Sequence, residues 1–94
     1  MILNPKLLIV DDERGIVDMI QSYFQTQYDI LTAYSGQEAL KKVACKPDLI
    51  LLDINMPGMD GFEVLRAMNA NHTIEDTPVL SLIHISEPTR RSYI

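Results

Sequence analysis

The sequence is short of several things, and each shortage excludes something. It holds one cysteine, Cys45, so no internal disulfide can form, which fits a reducing compartment. Positive charge is scarce: Lys and Arg number 8 against 13 Asp and Glu, for a formal net charge of −5. Residues 1–79 carry six basic and twelve acidic residues, whereas residues 80–94 carry two and one. An acidic body opposes binding to a phosphate backbone, so no nucleic-acid partner is expected through this chain. Cationic ligands and basic partners are favoured instead. Long apolar runs are also missing. The longest, Leu7–Val10 and Leu49–Leu52, have four residues each, against about 20 for a membrane-spanning helix. With no visible signal peptide, a cytoplasmic location and no membrane partner are expected.

Ninety-four residues allow a single domain with a modest core. A hydrophobic content of 47% with 22% charged residues is that of a globular protein and excludes a disordered tail or a coiled coil. Leu7-Leu8-Ile9-Val10 ends in Asp11-Asp12-Glu13, and Leu49-Ile50-Leu51-Leu52 ends in Asp53. Continuous apolar runs of this length suit central strands of a parallel sheet, buried on both faces. Between them, Ile16, Ile20, Tyr23, Phe24 and Tyr28 predict a helix with one apolar stripe. Tyr28–Ala33 alternates loosely, as an edge strand does. Ser35-Gly36-Gln37-Glu38 reads as a capping box, and Ala39, Leu40, Val43 and Ala44 as the stripe of the helix it starts. After Lys46-Pro47-Asp48 and the second apolar run, Pro57-Gly58 and Asp60-Gly61 mark turns. Phe62, Leu65 and Met68 predict a third helix, and Thr77-Pro78-Val79-Leu80 opens a fourth strand. The alternation of strands and helices predicts a doubly wound α/β sheet.

If the two apolar strands are neighbours, Asp11, Asp12 and Asp53 leave the sheet on one rim, where open α/β sheets bind ligands. Three carboxylates so close repel one another by about 3 kcal/mol per pair at an effective dielectric near 20. A hard cation, Mg²⁺ first, relieves that repulsion. The bland alternative, in which Asp12 or Glu13 caps a helix and Asp53 closes a turn, explains one acidic strand end more easily than two.

Leu-Leu-Ile-Val-Asp-Asp-Glu at 7–13 and Leu-Leu-Asp-Ile-Asn-Met-Pro-Gly-Met-Asp-Gly at 51–61 together resemble the receiver domain of bacterial two-component response regulators, from about Lys6 to Val79. The resemblance implies a flavodoxin-like (βα)5 fold with strand order 2-1-3-4-5. It implies that Asp53 is the phosphoacceptor, taking a phosphoryl group from a sensor histidine kinase or phosphotransfer protein. Asp12 and Asp53 would then hold Mg²⁺ directly, Asp11 partly through water, and the backbone carbonyl of Asn55 would be a further ligand. The chain is not expected to be an enzyme beyond the chemistry of its own phosphorylation and dephosphorylation.

Rival readings of these acids fail on spacing. As a calcium loop, Asp53-Ile-Asn-Met-Pro-Gly puts Pro57 in a ligand slot and Val64 where the closing Glu belongs. As a haloacid-dehalogenase-type phosphatase, it has Asn55 where the general acid should be. His72 and His84 lack metal-ligand spacing. Met19, Met56, Met59 and Met68 are read as core or loop-lining residues, and Cys45 as a packed core residue. No nucleophile elbow, Walker loop or dinucleotide fingerprint is present.

The chain also departs from the family it resembles. The hydroxyl expected at the end of the fourth strand falls near Ile83, and no lysine follows Lys46. Leu80–Arg90 matches the translation of a transposon-end sequencing adapter. The expected organisation is therefore a truncated receiver at 1–79, missing its last strand and helices, followed by a non-family tail at 80–94 of adapter read-through. Two functions follow: a phosphoacceptor module, or an inert fragment that retains kinase docking and the metal-site acids but cannot switch. Self-association through an exposed sheet edge is expected of either.

Overall fold

The computed structural model describes residues 4–54, 56, 58, 60–70 and 77–82. Strand β1 (Lys6–Val10) leads through helix α1 (Arg14–Phe24) to β2 (Asp29–Ala33). Helix α2 (Gly36–Lys42) continues into a 3-10 turn at Val43–Cys45 and on to β3 (Leu49–Asp53). Helix α3 (Gly61–Ala70) and strand β4 (Val79–Leu82) complete the described elements. Every strand pairing is parallel, in the order β2-β1-β3-β4, which is the order expected of the flavodoxin-like fold. β4 crosses the boundary expected at 79/80: Leu80, Ser81 and Leu82 stand opposite Leu51, Leu52 and Asp53. The expectations for Ile83, the rest of the tail, His72, His84 and Met59 lie outside the described residues.

The two apolar runs are central because both sides of each strand are occupied. Leu8, Val10, Ile50 and Leu52, with Ala33 of β2, form one buried cluster with Ala39 of α2, Val43 of the 3-10 turn, Met56 of the loop after β3, and Val64 and Met68 of α3. Leu7, Ile9 and Leu51 face the other way, toward Val17 of α1 and the partly buried Ile20, Phe24, Tyr28 and Tyr34. Each fully buried Leu or Ile contributes about 1.5–3 kcal/mol relative to exposure, so the strands supply most of the core.

Helix α2 starts as its sequence dictates, with one shift. The Glu38 amide donates to Ser35 Oγ at 3.1 Å, and Glu38 Oε1 accepts in return from the Tyr34 amide at 2.8 Å, one residue before the cap. Lys46, at φ 58, turns the chain out of the 3-10 segment, and the preceding residue, Cys45, is exposed rather than packed. The tighter turn rotates Ala44 and Cys45 off the buried stripe, leaving Val43 as its last buried member. Other stripe assignments shift for similar reasons. On α1 the buried contact is Val17; Tyr23 is 78% and Met19 62% exposed, and Tyr28 lies past the helix end. On α3, Gly61, Val64 and Met68 are buried and Phe62 is 55% exposed.

Candidate functional site

β1 ends at Val10, and the next residue is still held to the sheet, because the Asp11 amide donates to the Ala33 carbonyl at 3.1 Å. Asp11 Oδ1 then accepts from the Glu13 amide at 3.0 Å. This local side-chain bond turns the chain into α1, whose first helical bonds run from the Ile16 and Val17 amides back to the Glu13 carbonyl. Asp11 is fully buried by this arrangement, whereas Asp12 is exposed.

Asp53 is the last residue of β3 and is 1% exposed. Val10 and Leu52 are register partners in adjacent parallel strands, so the residues that follow them, Asp11 and Asp53, emerge side by side. One carboxylate oxygen from each of Asp11, Asp12 and Asp53 lies within 4.8 Å of the other two. Oδ2 of Asp11 and Oδ2 of Asp53 are both buried. The three acids named from the sequence are thus one cluster. Asn55, whose carbonyl was expected to complete it, lies outside the described residues.

The donor set is oxygen only and carries three formal negative charges, which fits a small hard divalent cation such as Mg²⁺ and does not fit a thiolate- or imidazole-seeking metal. The buried Asp11–Asp53 pair costs about 3 kcal/mol in mutual repulsion at an effective dielectric near 20, the incentive for cation binding.

The far side of the site is set by α3. Asp60 and Glu63 form a reciprocal capping box: the Glu63 amide donates to Asp60 Oδ1 at 2.9 Å and the Asp60 amide to Glu63 Oε1 at 3.0 Å. The Gly61 amide donates to the Ile54 carbonyl at 3.0 Å, pulling the helix start onto the end of β3. Met56 anchors the intervening loop in the core, and Gly58 takes φ +79, a conformation that favours glycine. The Asp-x-x-Glu spacing at 60–63 was a signal for this box that the turn reading of Asp60-Gly61 passed over. Arg14 was also missed; its guanidinium lies 4.0 Å from the centre of the Tyr34 ring, tying the start of α1 to the segment after β2. No sequence spacing announces that contact.

Comparison with known proteins points in one direction. Residues 7–92 match the family described as the response regulator receiver domain. The alkaline phosphatase synthesis transcriptional regulatory protein PhoP of Bacillus subtilis is 47% identical over 68 residues, 70% of this chain and 28% of that protein. The response regulator SaeR of Staphylococcus epidermidis is 44% identical over 63 residues, 66% of this chain and 28% of that protein. The chain therefore spans a little over a quarter of the length of these curated relatives. Among solved structures, the Vibrio cholerae chemotaxis protein CheY4 superposes with a TM-score of 0.81 at 37% identity, covering 90% of this chain and 72% of that one. The N-terminal domain of a response regulator receiver protein from Methanoculleus marisnigri gives 0.78 at 40% identity, covering 84% and 66%. Among the described residues, no helix is long and apolar enough to cross a membrane.

Proposed function

This chain belongs to the response regulator receiver domain family, and from that premise we propose that Asp53 accepts a phosphoryl group from the phosphohistidine of a sensor kinase or phosphotransfer protein. The observation that carries the reading is the meeting of Asp11, Asp12 and Asp53 within 4.8 Å at the carboxyl ends of two adjacent central strands. In the transfer, a carboxylate oxygen of Asp53 bonds to phosphorus as the donor's nitrogen–phosphorus bond breaks, and that electron pair returns to the imidazole. Asp11, Asp12 and Asp53, with the Asn55 carbonyl, would hold Mg²⁺. When bound, Mg²⁺ neutralises negative charge between the carboxylates and the incoming phosphoryl oxygens. Asp11 also orients the start of α1 through its bond to the Glu13 amide. The chain acts on no separate substrate, works in the cytoplasm, and in a longer protein would report to an effector such as a DNA-binding domain.

Incubation with acetyl phosphate and Mg²⁺, followed by intact mass, tests this. One hydroxylamine-sensitive phosphoryl group is expected, and none in Asp53→Ala. Persistence of the modification in Asp53→Ala would remove Asp53 from the role. Asp12→Asn should shrink the Mg²⁺-induced rise in melting temperature while raising the metal-free melting temperature, because it removes a repelling charge without removing a buried side chain. An unchanged response to Mg²⁺ would count against the cation site.

A further inference from the structure

Gly61 lies against the phosphoacceptor's own peptide. A Cβ built on it would stand 2.6 Å from the Asp53 carbonyl oxygen and 2.6 Å from the Ile54 Cα. Both atoms are backbone, so nothing flexible can swing away. Its amide meanwhile donates to the Ile54 carbonyl at 3.0 Å, and the Asp60–Glu63 box on either side fixes the helix start. The first residue of α3 is thus bolted to the end of β3 at the residue that carries the reacting carboxylate. We propose that Gly61 is a positioning residue for Asp53: by having no side chain it lets α3 close on the Asp53–Ile54 peptide, and this contact sets where the Asp53 carboxylate stands relative to Asp11 and Asp12. The inference rests on the reading of Asp53 as phosphoacceptor for its kinetic consequence, and on the acid cluster alone for its effect on cation binding.

The size of the effect follows from the distances. An added methyl group has to move from 2.6 Å to at least the 3.4 Å of ordinary contact, so the strand end or the helix yields by about 0.8 Å. A misplacement of about 1 Å in a reacting group costs on the order of a hundredfold in rate.

Gly61→Ala and Gly15→Ala form the matched test, since a Cβ at Gly15 meets nothing within 4 Å. Both are compared with the unsubstituted chain well below their melting temperatures, by phosphorylation rate at saturating acetyl phosphate and by the Mg²⁺-induced rise in melting temperature. Gly61→Ala should lose about a hundredfold in rate and most of its Mg²⁺ response, with Gly15→Ala unchanged in both. A folded Gly61→Ala with normal rate and normal Mg²⁺ response would show that the contact is structural only and overturn the proposal. If Gly61→Ala does not fold, amide exchange in the unsubstituted chain decides. Mg²⁺ should slow exchange of the Gly61 amide, and an unaffected amide would overturn the coupling. Failure of the unsubstituted chain to take phosphate defeats the phosphoacceptor reading, while the Mg²⁺ and exchange measurements still judge Gly61.

Discussion

The two faces of the sheet are built from the same strands and closed to different depths. Among the described residues, ten are buried toward α2 and α3, including the loop residue Met56 and two positions of α3. Toward α1, four of the described residues are buried, and their covering layer is made of partly exposed rings and aliphatic side chains. The rings there meet edge to face, with Phe24 5.0 Å from Tyr23 and 5.7 Å from Tyr28 between centres. Leu80 on β4, beside Leu51, is 54% exposed on this side. The difference bears on the acid rim. Asp53 is backed by the deep face through α3, whereas Asp12 stands at the entrance to α1, which leans on the shallow one. Local stability follows buried apolar contact, so the Asp53 side of the site is the rigid partner.

The largest test of that contrast uses one residue type on both faces. Ile50 and Ile9 are each fully buried in adjacent strands, the first under α2 and α3, the second under α1. Ile50→Ala should fall near the top of the range of about 2–5 kcal/mol for such truncations, and Ile9→Ala near the bottom, where the cover can collapse onto the gap. Equal losses in urea unfolding would break the comparison. Helix caps come next. Ser35→Ala removes the bond from the Glu38 amide and should cost about 1 kcal/mol. Smallest is a gain: Gly15→Ala in α1 should raise stability by about 0.5–1 kcal/mol, measured by thermal melting, because the position is open and helical. No gain would mean that α1 is less helical in solution than its bonds imply.

The strands and the acid rim were readable because both are written in adjacent residues. Leu7–Val10 and Leu49–Leu52 are too apolar for any position but the centre, and the acids that follow each run are carried to one place by parallel register. Helix faces were harder. Tyr23 and Phe62 look like stripe members by spacing, yet what fixes a helix's rotation is the contact at its end. On α3 that contact is Gly61 against the Asp53–Ile54 peptide, which turns Gly61, Val64 and Met68 inward. Phe62, about 100° further round, is left outside. Spacing counts apolar residues and is blind to a glycine that works by close approach. Cys45 was lost to the same kind of cause, a change from α to 3-10 geometry that shifts the phase of the stripe over its last residues.

The place of β1 in the sheet has a consequence for how the chain is made. It is the first strand in the sequence, yet its two neighbours are β2 and β3, and its partner Leu49 lies 42 residues beyond Leu7. At a ribosomal rate of about 5–20 residues per second, that separation is roughly 2–8 s of synthesis. For those seconds the edge of Leu7–Val10 that will receive β3 has its hydrogen-bonding groups open, and the most apolar strand of the nascent chain waits for a neighbour not yet made.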